Sequence, residues 1–276
     1  MNRSHLIVAA DKQKHLDKLE DLKCDTAIIN LEDGVFNKQY ALDLLEKNFQ
    51  NKQLRFKNKK IVVRINPLDE TGKQEISVLN KLKPDAIRIS KIRSINELQE
   101  GLKLIDDDIQ IALSLETKEA FNNIIQLKID PRVTTLYLGI LDLLESLHLP
   151  QNLLQLNNPT IDYILSKALI DSKIANFDIV GFIFQDYKNI ELFTKWCNYL
   201  KNIGYNSISC ISPSQVDIAN NIFTTNFDEI EKAKYIKTIF ENNKKQGITG
   251  FSDTKYGFID EPIYKDAMLL LKKLHN

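Results

Sequence analysis

The sequence predicts a (β/α)8 TIM barrel carrying a C-terminal helical and glycine-rich extension. Two observations carry that expectation. Short apolar, β-branched runs alternate with longer amphipathic ones eight times, at a period of roughly 25–35 residues, as in a parallel crossover fold; eight repeats favour a closed barrel over an open doubly wound sheet. Polar and ionisable residues also gather after the C-terminal ends of these runs, where barrels of this kind build their sites. A chain of 276 residues is long enough for one such barrel or for two average domains.

The predicted strand–helix pairs, in order, are 5–10 with 12–22, 26–31 with 38–48, 60–66 with 73–82, and 86–90 with 95–105. They continue with 109–115 and 118–127, then 135–140 followed after a looser stretch by 161–176, then 177–184 with 190–203, and 207–211 with 214–222. Residues 1–224 are therefore assigned to the barrel and 225–276 to an extension. The extension holds a helical pattern over 227–245, a segment with three glycines, QGITGFSDTKYGFIDEP, and a last helix over 263–274. Such a glycine-rich segment suits a lid or an arm reaching a neighbouring subunit, or else a packing extension over one barrel end.

Lys+Arg and Asp+Glu are both 37, so the net charge is zero, which argues against a nucleic-acid binder driven by phosphate neutralisation. Only six of those basic residues are arginine (Arg3, Arg55, Arg64, Arg88, Arg93 and Arg132), so an arginine inside an apolar run is informative. Cys24, Cys197 and Cys210 are far apart and form no CxxC pair, as buried thiols of a reducing compartment would be. The four histidines do not cluster, which speaks against a zinc site. The N-terminal apolar stretch is too short for a signal peptide, and no run approaches the ~20 apolar residues of a membrane span. A cytoplasmic enzyme or binding protein is expected.

At the strand ends stand Glu32 and Asp33, Arg64 and Asn66, Ser90 and Lys91, Glu116, Gly139 with Asp142, Gln185 and Asp186, and the Ser212–Gln215 stretch SPSQ. Glu116 closes the apolar run IQIALSLE, and Asp142 follows one βα unit later. Two carboxylates without nearby His or Cys suit a hard cation, Mg²⁺ or Mn²⁺, which draws the rest of its shell from water and substrate oxygens. Arg64 would then hold a substrate oxygen, and Gly139 would let a ligand approach the backbone. Each residue also has a structural reading. Glu116, or the pair Glu32–Asp33, would serve as a helix cap; Arg64 would form an ion pair with Glu116; Lys91 would be a solvated strand terminus. Arg88 shares a face with Ser90 and either lines the site or lies beneath the helices.

Taken together, several motifs resemble the citrate lyase β-subunit-like branch of the HpcH/HpaI aldolase superfamily: RSHLIVAAD, INLEDGV, VVRINPLD, IRISKIRS, LSLET, LYLGILDLLESL, ISPSQVDIANNIF and GFIDEPIYKDA. The likeness is in order and spans nearly the whole chain. It implies a TIM barrel with reaching C-terminal elements, a homotrimer or homohexamer, and Mg²⁺-dependent cleavage or formation of C–C bonds in acyl-CoA thioesters, giving a keto acid and an acyl thioester. By that resemblance the metal ligands fall on Glu116 and Asp142, and the substrate-binding arginine on Arg64. Glu32 and Asp33 match the acidic pair near the metal's water shell, and Asp260 matches a lid aspartate that transfers a proton. Gly139, Leu141, Asp142 and Lys91 fall at substrate-binding positions.

The chain departs from that pattern around the site. Leu141 stands where the family has an acid, Ser90-Lys91 replaces Pro-Lys, and Ser212 replaces a histidine. These changes predict a retained metal site and a substrate that is not citrate-derived. Two other readings stand beside the lyase: an aldolase acting on a free 2-keto acid without CoA, and a diverged, non-catalytic keto-acid-binding barrel.

Overall fold

A computed structural model of the chain describes residues 2–51, 54 and 56–275. It divides into two compact units, Asn2–Phe223 and Thr224–Asn276.

The first unit contains eight parallel strands: β1 (Ser4–Ala9), β2 (Thr26–Asn30), β3 (Lys60–Ile65), β4 (Ala86–Ile89), β5 (Gln110–Leu115), β6 (Val133–Leu138), β7 (Asp178–Val180) and β8 (Ile208–Cys210). Their spatial order is β7-β6-β5-β4-β3-β2-β1-β8. The ring closes between β7 and β8 through one bridge, Gly181 to Ile208. There Gly181 N–H donates to Ser207 O at 3.0 Å, and Ser209 N–H donates to Gly181 O at 3.0 Å. A side chain at Gly181 would crowd this seam, since its Cβ would stand 3.1 Å from Ser207 O and 3.0 Å from Leu200 Cδ1. The fold is the predicted TIM barrel.

Strand alternation separates two layers. Outward residues such as Leu6, Val8, Ala27, Ile29, Ile61, Val63, Ile87 and Ile89 join the main core beneath the helices. Inward, Ile28, Val62, Ala86, Ala112, Tyr137 and Val180 form a separate apolar belt across the barrel. One alternation step further along the same strands come Asn30, Arg64, Arg88, Ser114 and Gly139, and one more step brings in Ser90 and Glu116. The lining thus changes from apolar to polar toward the C-terminal mouth, because each strand continues past its belt residue with a polar one on the same face.

The helices are α1 (Gln13–Leu16), α2 (Lys38–Gln50), α3 (Gly72–Leu82), α4 (Ile95–Leu104), α5 (Lys118–Asn122), α6 (Ile140–Ser146), α7 (Pro159–Ile174), α8 (Ile190–Ile203) and α9 (Pro213–Phe223). Two are shorter than predicted. The helix expected over 12–22 ends at Leu16, and the chain continues in tight turns, with Leu19 N–H bonding Leu16 O at 3.1 Å. Lys59, from the loop before β3, binds the carbonyls of Leu19 and Leu22 and holds these turns. The helix expected over 118–127 ends at Asn122 and resumes as a 3-10 turn, Ile125–Leu127. Conversely, the looser stretch after β6 opens with a true helix, α6.

The second unit contains α10 (Phe227–Lys244), a hairpin of β9 (Gly250–Asp253) and β10 (Gly257–Asp260), and α11 (Glu261–His275). A reciprocal capping box between Asn226 and Glu229 starts α10. Ala233, Ile236, Phe240, Ile259 and Ala267 form a small core of its own, with Phe240 stacked on Tyr264 at 4.5 Å. The glycine-rich segment is therefore a hairpin rather than an irregular loop, turned at Gly257 with φ 76°. Among the described residues no helix is long and apolar enough to cross a membrane.

Candidate active site

Capping decides which strand-end acids are free for chemistry. Helix α5 is capped by Thr117, whose Oγ1 accepts from Ala120 N–H at 3.2 Å and donates to Ile92 O at 2.6 Å. Helix α2 is capped by Asn37, which accepts from Tyr40 N–H at 3.0 Å. Neither Glu116 nor the pair Glu32–Asp33 caps a helix, so the capping reading fails for all three.

Glu116 and Glu32 are buried and meet at Arg64. Arg64 Nη2 lies 2.6 Å from Glu32 Oε2 and 3.3 Å from Glu116 Oε2. Its Nε donates to Ser90 Oγ at 3.1 Å, which sets the plane of the guanidinium. The other Glu116 oxygen accepts the Lys91 backbone N–H at 2.9 Å. Lys91 adopts the left-handed conformation, φ 53°, which turns that N–H into the site. The Lys91 ammonium stands 3.5 Å from Glu32 and 3.8 Å from Asp33, so it is a member of the cluster and not a solvated terminus. Asp33 itself is exposed; its backbone N–H bonds Glu32 Oε2 at 3.0 Å.

Gly139 shapes the gap between the two proposed metal-binding acids. A Cβ there would stand 2.8 Å from Glu116 Oε2 and 3.7 Å from Asp142 Oδ2, so the glycine leaves open a space that both carboxylates face. Asp142, in the first turn of α6, is half-buried. Burial and the nearby Glu116 charge push its carboxyl above the usual range. Burial also raises Glu32, against the pull of Arg64. Lys91 is raised because Glu32, Asp33 and Glu116 outweigh its own burial. Buried acids that resist ionisation beside one another are stabilised by a cation between them. The donor set is two carboxylates around a small polar space, which fits a hard divalent ion completed by water or substrate oxygens. Among the described residues no group of three or more His, Cys, Asp or Glu is placed to hold a metal.

Arg64, Arg88, Glu116, Gly139, Leu141 and Asp142 line a cavity of about 40 Å³, together with Ile183, Gln185 and Ser209. Arg88 therefore lines the site, which settles the face that the sequence left open. A larger cavity, about 590 Å³, opens at the opposite barrel mouth between Lys60, Gln110, Tyr137 and Asp178, but none of the expected site residues reaches it. Gln215, fully buried, braces the last two strand ends: it accepts from Ile211 N–H at 2.8 Å and donates to Phe184 O at 3.1 Å. Ser212 caps this turn through Gln215 N–H at 3.3 Å. The structural partners Ser114 and Thr117 were not singled out from sequence, although β-strand alternation gives Ser114 as an inward residue; Ser90, named at its strand end, is one of the partners. Asp260 belongs to the second unit, where its Oδ1 accepts Ile263 N–H at 3.2 Å and starts α11.

The family model for HpcH/HpaI aldolase/citrate lyase matches residues 3–213, which include all of these barrel residues but Gln215. The chain belongs to that family. Among its relatives, a (3S)-malyl-CoA thioesterase of Cereibacter sphaeroides is 27% identical over 248 residues, covering 89% of this chain and 85% of that protein. The citrate lyase subunit beta of Haemophilus influenzae is 23% identical over 287 residues, covering 99% and 97%. The crystal structure of protein CitE from Mycobacterium tuberculosis in complex with magnesium, acetoacetate and coenzyme A superposes with a TM-score of 0.77 at 16% identity, covering 100% of this chain and 98% of that one. At that identity the likeness bears on the fold.

Proposed function

We propose that the chain is a Mg²⁺-dependent carbon–carbon lyase, or condensing enzyme, of the citrate lyase β type, cleaving a hydroxyacyl-CoA-like substrate into a keto acid and an acyl thioester. The observation that carries this reading is the gap at Gly139, faced by Glu116 and Asp142 and flanked by Arg64. Magnesium in a related structure, and the citrate lyase subunit among the relatives, support it.

A divalent ion held by Glu116 and Asp142 would supply Lewis-acid polarisation of a substrate carbonyl or hydroxyl oxygen. Arg64 binds and orients the carboxylate of the keto-acid half, exchanging part of its pairing with Glu32 and Glu116 for the substrate. The Lys91 N–H keeps Glu116 in place while that exchange happens. Glu32 and Asp33 hold water at the rim, and the Lys91 ammonium balances their charge. In cleavage the substrate hydroxyl gives up its proton to solvent water as its oxygen becomes the carbonyl, the C–C bond breaks, and that bond's electron pair passes to the thioester α-carbon, which takes a proton. Asp260 is the proposed proton donor there, and the proton acceptor in condensation. We assign the second unit, 225–276, as a lid that delivers Asp260 to the site of a neighbouring subunit in a homotrimer or homohexamer, an arrangement to be checked by light scattering.

The malyl-CoA thioesterase among the relatives favours a second reading, hydrolysis of the thioester. There water attacks the thioester carbonyl and the CoA thiol leaves, with no C–C cleavage. One experiment separates the two. The protein is incubated with Mg²⁺ and malyl-, citramalyl- or citryl-CoA, and keto acid and free thiol are assayed in parallel. Keto acid without thiol supports the lyase; thiol without keto acid supports the hydrolase. Keto acid formed from the free hydroxy acids would instead point to a CoA-independent aldolase, and neither product from any substrate would sink the catalytic readings.

A further inference from the structure

Arg88 is a second guanidinium beneath the site, and the chemistry above does not use it. It pairs in register with Arg64 across β3 and β4, so two arginines stand side by side on adjacent strands. Arg88 is 2% exposed and lines the same small cavity as Arg64, Glu116, Gly139 and Asp142. Two contacts hold it still: its Nε donates to Ser114 Oγ at 2.8 Å, and its guanidinium carbon lies 4.4 Å from the centre of the Tyr137 ring, whose hydroxyl is in turn fixed by His5 Nδ1 at 3.0 Å. Yet Nη1 is buried with no hydrogen-bond partner among the described residues.

A buried guanidinium nitrogen without an acceptor is costly, and such groups are normally satisfied by protein, water or ligand. The fixed orientation leaves this nitrogen unpaired in a residue that lines the cavity, the arrangement expected of a preorganised anion site.

We infer that Arg88 is a second substrate-binding arginine that accepts a further carboxylate on the keto-acid half of the substrate, so that the site selects a dicarboxylate over a monocarboxylate. The inference rests on the proposed metal-assisted site, and it assigns a specificity role that Arg64 alone does not supply. The small cavity favours a short second arm, reached by a modest adjustment of Arg64 and Glu116.

The test uses malate and lactate, which differ by one carboxymethyl arm and do not decompose. Binding to the full-length protein is measured by titration calorimetry, with and without Mg²⁺. For the wild type, malate is expected to bind roughly tenfold or more tighter than lactate, the range of a charge-assisted hydrogen bond. In Arg88→Met that preference is expected to collapse while lactate binding changes little. Arg88→Lys keeps a charge without the forked geometry and is expected to retain part of the preference; it also serves where Arg88→Met does not fold. Equal binding of the two ligands by the wild type, or an equal loss of both in either variant, would overturn the assignment to Arg88 and leave the metal-assisted site standing. Failure of the wild type to bind either ligand, with or without Mg²⁺, would overturn both.

Discussion

Gly139 and Glu116 approach each other so closely that a methyl group on Gly139 would stand 2.8 Å from both Cβ and Oε2 of Glu116. No L-residue other than glycine fits there unless the carboxylate moves. Gly139→Ala is therefore expected to displace Glu116 from the Lys91 N–H and from the space it shares with Asp142. A displacement of about 1 Å at a reacting centre costs roughly 100-fold in rate. Mg²⁺ titration and turnover of the variant measure the effect; wild-type values for both would contradict the role given to the glycine.

Arg64 neutralises two buried acids at once, so its removal is expected to be a stability defect as well as a functional one. Arg64→Met leaves Glu32 and Glu116 opposed only by the half-exposed Lys91 ammonium, 3.5 Å from Glu32. Breaking a buried pair by removing one partner costs roughly 3–5 kcal/mol, which urea unfolding at neutral pH would read. Burial already raises Glu32 in the native state, and the variant lacks the Arg64 attraction that opposes it. An acid whose folded pKa is raised costs stability where it is ionised, above that folded value, and the cost disappears below its unfolded value. The defect should accordingly shrink as the pH is lowered and as Mg²⁺ is added. A defect independent of both would mean that lost packing, not unpaired charge, dominates.

How far the sequence reveals this site depends on contrast between the faces of each strand. Arg64, Glu116 and Gly139 follow apolar runs, and their positions at strand ends make them visible as inward, polar residues. Arg88 sits in AIRI, where all four residues are buried, so burial alone does not distinguish barrel from helix side; the register with Arg64 does. The apolar spacing after β1 continues to Leu19 and Leu22 beyond the helix end at Leu16, and the residue that binds the carbonyls of those turns, Lys59, lies 40 positions from Leu19. The β9–β10 hairpin is hard to read because GFSD and GFID show no clean apolar/polar alternation; the one local sign is the left-handed Gly257 that closes the turn.

His5 closes the barrel below Arg88 and Tyr137, and it predicts acid sensitivity. Burial lowers its pKa from 6.5 to about 3, with the Arg88 and Lys60 charges adding to the effect and Asp25 opposing it. The native state therefore holds His5 neutral through a range in which the unfolded chain takes up a proton. Between about pH 6.5 and 3 the unfolded state binds the additional proton, so this residue's contribution to stability falls as the pH falls, by roughly 1.4 kcal/mol per unit. His5→Gln keeps a polar group beside the Tyr137 hydroxyl without titrating. Its unfolding free energy should fall less steeply than that of the wild type between pH 6 and 4, a window chosen from the shift of His5. Parallel profiles for the two proteins would show that His5 is protonated in the native barrel.

Asp260 has a structural duty that must be separated from any chemical one. Its Oδ1 accepts the Ile263 N–H at 3.2 Å and begins α11. Asparagine retains that acceptor and lacks a transferable proton, whereas alanine lacks both. Loss of an N-cap costs about 1 kcal/mol, so Asp260→Ala should lower the unfolding stability of the second unit by about that amount and Asp260→Asn by only a few tenths. If Asp260 transfers a proton at the thioester α-carbon, the two variants should lose turnover alike, by roughly 100-fold or more, although only one is destabilised. Binding of Mg²⁺, which is assigned to Glu116 and Asp142, should be unchanged in both. Turnover that instead follows stability, with Asp260→Asn near wild type, would reduce Asp260 to a helix cap and require a different proton donor.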